Sequence, residues 1–150
     1  MKKVWQLWRS FSETVDPMSD EFHVKIHSEY DIVTARHQVR ELCVALNFSS
    51  GDQTLVATCV SELARNIVEY AGSGEMIMGL VDNNGQKGVV IVARDEGPGI
   101  RDIELAMKDG YSTSKGLGIG LPGSKRIMDE FAIFSKIGKG TTVTVKKWKR

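Results

Sequence analysis

Asp95-Glu96-Gly97-Pro98-Gly99-Ile100 follows Gly88-Val89-Val90-Ile91-Val92-Ala93-Arg94, a run that is almost wholly apolar. A carboxylate at the end of a buried strand can accept a hydrogen bond from an exocyclic amine. Glycines at 97 and 99 let a flat ring approach the backbone. Taken alone, the motif reads equally well as an ordinary turn. A second cluster, Gly116-Leu117-Gly118-Ile119-Gly120-Leu121, precedes a helical stretch that opens near Pro122. Successive backbone N–H groups feeding a helix N-terminus form a concavity suited to phosphate, and Lys115 adds a cation. The plain alternative is a flexible loop, although Leu117, Ile119 and Leu121 need apolar neighbours. Glu62 and Asn66 are four residues apart in a helical stretch and share one face. An asparagine in mid-helix costs propensity without a local gain. Both side chains sit at the flank of the apolar stripe, where they can point into a cleft or merely into water.

The elements that must position these groups are legible from periodicity. Phe22 to Ile26 alternates like a strand. Ile32, Ala35, Val39, Leu42, Cys43 and Leu46 mark one helical face between Asp31 and about Asn47. Ser49-Ser50-Gly51-Asp52 is a turn and cap, and a second helix runs from there to Ala71-Gly72-Ser73-Gly74. Met76 to Val81 and Gly88 to Ala93 flank Asp82-Asn83-Asn84-Gly85, a hairpin signal. A third helix is expected from Pro122 to about Glu130. Ala132 to Ile137 and the segment after Gly138-Lys139-Gly140 form a closing hairpin. This order predicts an α+β two-layer sandwich, a mixed and mostly antiparallel sheet with helices on one face. The glycine clusters are not in a βαβ unit, and no GxxxxGK[ST] is present, so neither a dinucleotide fold nor a P-loop is indicated.

Residues 1–20 stand apart from the domain expected over 21–150. Val4, Leu7, Trp8, Phe11 and Val15 repeat at helical spacing before Asp16-Pro17, which suggests an amphipathic helix docking on the domain or a partner. The net charge of +1 over 150 residues gives no global field for nucleic acid or an anionic membrane. The basic end, Lys146-Lys147-Trp148-Lys149-Arg150, reads as a solvated strand end. Cys43 and Cys59 fall at apolar helical positions and are expected to be buried free thiols. No zinc spacing and no membrane span are present, and the first residues are too polar for a signal peptide. A cytoplasmic protein is expected.

In order along the chain, an E-x-x-x-N helix, D-x-G-x-G after a strand, G-x-G-x-G before a helix and G-x-G-T opening a last strand resemble the Bergerat ATP-binding fold. That is the family of gyrase, Hsp90, histidine kinases and MutL. Here the elements read SELARNIVEYA, DEGPGI, GLGIGL and GKGT, and the resemblance covers roughly Glu21 to the C-terminus. Within the family the chain is similar to the stand-alone serine-protein kinases of anti-sigma and stressosome systems. The runs SELARNIVEYAG, DGYSTSKGLGIGLPGSKRIMDEF and the final KW resemble the RsbT-type switch-kinase branch.

The resemblance implies ATP and Mg²⁺ as cofactors. It makes Glu62 the general base toward a substrate hydroxyl and Asn66 the ligand of an Mg²⁺ that bridges the phosphates. Asp95 would bind the adenine amine, assisted through water by Thr141, with Gly97 and Gly99 letting adenine lie close. Lys115, Gly116, Leu117, Gly118, Ile119, Gly120 and Leu121 would form the phosphate side, with Tyr111, Ser112 and Thr113 in the lid. Arg36 matches an arginine that approaches the phosphates, against the plain reading of a surface helical arginine. The lid from Asp109 to Gly116 is short, which implies weak retention of ATP. The implied function is a protein-serine/threonine kinase that phosphorylates STAS-domain stressosome proteins. When released, it would activate a PP2C-type phosphatase in a general-stress or sigma-factor pathway. The alternative is an ATP-gated binding switch without catalysis, an anti-sigma factor or phosphatase activator. A base at Glu62 favours the kinase. A histidine kinase would need a phosphoacceptor histidine on a dimerisation helix, and His23, His27 and His37 are expected to be ordinary structural or surface residues.

Overall fold

Five segments pair into one sheet in a computed structural model that describes residues 19–108 and 119–150. They are β1 (Ser19–Ile26), β2 (Gly74–Asn83), β3 (Gln86–Asp95), β4 (Glu130–Lys136) and β5 (Gly140–Trp148). Their order is β1-β2-β3-β5-β4, and each described pairing is antiparallel. The register sets Met78 opposite Ile91 and Ile91 opposite Val145. One side chain in two from each central strand therefore enters the core.

Helices α1 (Glu29–Ala45) and α2 (Ser50–Asn66) cover that face, with the shorter α3 (Ile103–Ala106) and α4 (Gly120–Ile127) beside them. Ile32, Val39 and Leu42 of α1 meet Val56, Val60 and Leu63 of α2 over the sheet. The expected α+β two-layer sandwich is borne out. Cys43 and Cys59 are buried and unpaired, and burial pushes both thiols up to about 12. Among the described residues no helix is long and apolar enough to cross a membrane.

Local chemistry sets the element ends. Asn84 and Gly85, both at positive φ, form the two-residue turn between β2 and β3. Asp82 Oδ1 accepts from the Gly85 N–H at 2.7 Å. α1 starts two residues before the periodicity suggests because Asp31 serves the cap. Its Oδ2 accepts from the backbone N–H groups of His27 (2.9 Å) and Ser28 (3.1 Å). The His27 amide is the largest influence holding the Asp31 carboxyl below its ordinary 3.8. The Asp31 contribution to stability is therefore full above pH 3.8 and is lost as pH falls through the lower folded value. Urea titrations of wild type and Asp31→Ala should show a lower midpoint for the variant at pH 7, and a gap that closes in strong acid. Equal midpoints at pH 7 would remove the cap from the account.

Three expectations need correction. β1 begins at Ser19 rather than Phe22, because Ser19 pairs with Leu80 across an irregular register. The third helix spans Gly120–Ile127, not Pro122 to Glu130. Asp129 instead donates its N–H to the Lys146 carbonyl at 2.9 Å, and Glu130 pairs with Lys146 in the sheet. The basic end is not solvated: Lys146 and Lys147 are buried, 1% and 6% exposed, and only Lys149 and Arg150 reach water. β5 lies between β3 and β4, so neighbours enclose it. Lys147 Nζ donates to the Ile127 carbonyl (2.8 Å), and Trp148 Nε1 donates to Glu130 Oε2 (2.7 Å). Burial lowers the Lys146 pKa against the opposing pull of Glu130. The expected helix near the N-terminus and the lid fall largely on residues 1–18 and 109–118, outside the described residues.

Candidate functional site

The C-terminal half of α2 brings Glu62, Leu63 and Asn66 to one flank. The helix then widens into a π-helical turn, Ile67–Ala71, ended by Gly72 at φ 83°. Such a turn changes the side-chain register, and here it adds Ile67 and Tyr70 to the same flank. Facing them are Ala93 and Asp95 at the end of β3, and Thr141 and Val143 at the start of β5. Between these walls lies a cavity of about 250 Å³, closed further by Ile100, Ala106 and Leu121.

The polar groups of the cavity are unevenly satisfied. Glu62 is only 7% exposed. Its Oε1 pairs with Arg65 Nη1 at 3.2 Å, and its Oε2 accepts from the Gly120 N–H at 3.2 Å. The N-terminus of α4 is thereby tied to α2 through one carboxylate. One turn further, the half-buried Asn66 amide has no hydrogen-bond partner among the described residues. Asp95 Oδ1 accepts from the N–H groups of Gly97 (2.8 Å) and Thr141 (3.3 Å). Its Oδ2 has no partner among the described residues. Burial raises the Asp95 pKa above its ordinary value, against both hydrogen bonds.

The loop after Asp95 is fastened to the hairpin between β4 and β5. Gly138 N donates to the Pro98 carbonyl (2.8 Å), and Ile100 N donates to Ser135 Oγ (2.7 Å). Ser135 Oγ is in turn 2.8 Å from Thr141 Oγ1. These crossings are close enough to demand glycine at two positions. Gly99, at φ +80°, would set a Cβ 2.4 Å from the Lys136 carbonyl oxygen. Gly140, at φ +124°, would set one 2.0 Å from that of Asp95. The two glycine motifs, DEGPG and GKG, are thus halves of one junction that aims Asp95 and Thr141 into the cavity.

Residues 51–150 match the family described as histidine kinase-, DNA gyrase B- and HSP90-like ATPases, HATPase_c. Over 133 residues the chain is 50% identical to the serine/threonine-protein kinase RsbT of Bacillus subtilis, covering 89% of this chain and 100% of that protein. The chain belongs to the HATPase_c family, in its serine/threonine-protein kinase branch. It is 31% identical over 138 residues to the anti-sigma F factor of Geobacillus stearothermophilus, covering 87% of this chain and 93% of that protein. The RsbU and RsbW domains of a Mycobacterium tuberculosis protein superpose with a TM-score of 0.59 at 18% identity, over 88% of this chain and 33% of that one. The SiaB-SiaC complex of Pseudomonas aeruginosa gives 0.54 at 15% identity over 99% of both chains. At these identities the two structures share the fold.

A HATPase_c domain uses ATP, and the cavity fits that use. Apolar walls suit the faces of a purine, Asp95 Oδ2 can accept from an exocyclic amine, and the Asn66 amide oxygen is a hard donor without a partner among the described residues. Of the residues that sequence analysis singled out, Glu62, Asn66, Asp95, Gly99, Gly120, Leu121 and Thr141 line this HATPase_c cavity. Gly97 stands just behind, donating to Asp95. Ile119 precedes α4 and is 37% exposed. Arg36 is not at the cavity; its Nη1 reaches Ser61 Oγ at 3.4 Å, one residue from Glu62. Thr113, Lys115, Gly116, Leu117 and Gly118 lie outside the described residues. The apolar walls have no motif of their own in the sequence. Leu63 and Ile67, on the apolar stripe of the helix, serve the core and the cavity at once. Ala106 comes from α3, a turn capped by Asp102 accepting from the Leu105 N–H at 3.0 Å. The Asp-x-x-Leu spacing was its only local signal.

Proposed function

We propose that this cytoplasmic kinase transfers the γ-phosphoryl group of ATP to serine or threonine residues of STAS-domain stressosome proteins. Released from them, it activates a PP2C-type phosphatase in a general-stress or sigma-factor pathway. The observation that carries the kinase reading is the placement of Glu62 and Asn66 one helical turn apart, on the cavity that Asp95 and Thr141 line from the other side.

In this reading Glu62 takes the proton of the substrate hydroxyl. The hydroxyl oxygen bonds to the γ-phosphorus, the bond to the β–γ bridging oxygen breaks, and ADP leaves. Asn66 would hold Mg²⁺, which supplies charge neutralisation at the phosphates. Asp95 accepts from the adenine amine, and Thr141 supports it. The backbone around Gly120, at the N-terminus of α4, favours negative charge on the phosphate side. The Arg65 and Gly120 bonds hold Glu62 at the cavity until a hydroxyl group replaces one of them.

The test is phosphoryl transfer from labelled ATP and Mg²⁺ to a STAS-domain protein encoded beside this chain. Wild type should transfer. Asn66→Ala should lose transfer and the Mg²⁺ dependence of ATP binding, with an unchanged circular dichroism spectrum. ATP binding without transfer by wild type would overturn the proposed substrate class and favour the nucleotide-gated binding switch.

A further inference from the structure

The sheet has a second face, and its burial is not explained by the described helices. Ile77, Gly79 and Val81 of β2 stand opposite Val92, Val90 and Gly88 of β3. Val92, Val90 and Gly88 in turn stand opposite Thr144, Lys146 and Trp148 of β5. All alternate with the residues that enter the core under α1, α2 and α4, so they point to the other side. A sheet face left to water would show its central side chains. Here Val90 is 0% and Val92 2% exposed. Val81, Val90 and Trp148 form an apolar cluster separate from the main core. The cross-strand neighbours do not account for this shielding: Gly79 on one side of Val90 has no side chain, and Lys146 on the other is itself only 1% exposed. The Trp148 ring lies across Gly88, whose Cβ would meet Trp148 Cε3 at 2.8 Å. The result is a trough floored by Val90, Val92 and the buried Lys146, with an indole at one end.

The chain itself holds a segment of the right length, character and point of entry. Residues 1–18 lead into Ser19, which pairs with Leu80. Leu80 pairs with Val89, and Val89 with Lys147. The segment therefore joins the sheet at the end where Val81, Gly88 and Trp148 stand. Fifteen residues of helix span about 22 Å at ~1.5 Å per residue, and five strands at ~4.8 Å spacing are about 19 Å across. Val4, Leu7, Trp8, Phe11 and Val15 give the segment one apolar face, and Asp16-Pro17 supplies the turn into β1. The match to Bacillus subtilis RsbT takes in all of that protein but 89% of this chain, so this chain has residues that the relative lacks.

We propose that residues 1–18 lie in cis across the second face of the sheet, seating Leu7, Trp8 and Phe11 on the trough formed by Gly79, Val90 and Val92 beside Trp148. This places the cover on the side of the sheet away from the nucleotide cavity, and it stands independently of the substrate assigned above.

A spin label on the full chain tests it. Ser10→Cys places a thiol on the segment, and labelling is selective because Cys43 and Cys59 are buried with thiols pushed up to about 12. With a nitroxide at position 10, the methyl resonances of Val90, Val92 and Ile77 should broaden more than those of Ile32 and Val39, and recover on reduction of the label. In a one-to-one mixture of spin-labelled chains and methyl-labelled chains the broadening should be absent. Adding Leu7→Asp and Phe11→Asp should abolish it in the doubly labelled chain. Broadening confined to the mixture would put a second copy on the trough, and no broadening would leave the trough to a different protein. Either result overturns the proposal, as does broadening that survives the two aspartates.

Discussion

Replacing Glu62 by glutamine is expected to slow phosphoryl transfer by about 10²- to 10⁴-fold while leaving ATP affinity nearly unchanged. The size follows from the role proposed for Glu62. Glutamine has the shape of glutamate and keeps one carbonyl oxygen, so the Gly120 N–H can retain an acceptor. What is lost is the capacity to take a proton. Glu62 does not lie against the side of the cavity that holds Asp95, so adenine contacts are untouched. Stability should also move little. The Arg65 side chain left without its anionic partner is 30% exposed, and water can solvate it. Single-turnover transfer, calorimetric ATP titration and a thermal melt separate the three quantities. Transfer by the variant at the wild-type rate would remove Glu62 from the chemistry. Loss of ATP binding in step with transfer would recast it as a binding residue.

Asp95→Asn carries the second large effect, and it has opposite signs for binding and for folding. Asparagine can keep its oxygen on the Gly97 and Thr141 N–H groups and so preserve the turn. Its NH₂ group then occupies the Oδ2 position and meets the adenine amine donor to donor. ATP binding should weaken by about 10²-fold or more. The ligand-free protein should nevertheless melt at a higher temperature at pH 7. Burial raises the Asp95 pKa above the ordinary 3.8, so the ionised form costs stability in the folded state. That cost is complete above the raised folded pKa and gone below 3.8, where the group is protonated in both states. The melting gap between variant and wild type should therefore shrink as pH falls through that window. A variant that binds ATP normally would sink the adenine role. A variant that melts lower at pH 7 would show that the ionised carboxylate stabilises the fold through its Gly97 and Thr141 bonds. A group adverse to the empty fold is what the proposed adenine contact would require.

Much of the scaffold and the set of site residues could be read from the residues in order. Two apolar runs on either side of Asn84-Gly85 marked β2, β3 and the turn between them, and period-two alternation marked β1. The apolar stripe of α2 placed Glu62 and Asn66 on one flank, because a helix of 3.6 residues per turn leaves no other arrangement at a spacing of four. The order of the E-x-x-x-N, D-x-G-x-G, G-x-G-x-G and G-x-G-T elements carried the family, since each motif alone is ambiguous. All of these depend on interactions within about a turn of helix or a hairpin.

What the residues in order could not disclose is which distant segments meet. The Glu62 carboxylate accepts from an amide 58 positions away. Gly140 earns its place from the carbonyl of Asp95, with its Cβ position only 2.0 Å from that oxygen, and no local rule relates the two residues. Lys146 and Lys147 look like a solvated terminus by composition, yet strand order puts β5 between β3 and β4 and encloses them. Arg36, grouped with the phosphate side by resemblance, reaches Ser61, 25 positions away and next to Glu62. Local backbone preference and hydrophobic period act over a few residues, so the sequence by itself determined most of the elements and which of the candidate residues share a face. Burial, charge pairing and the closing of the cavity are properties of neighbours brought together by sheet order, and only the tertiary structure decided those.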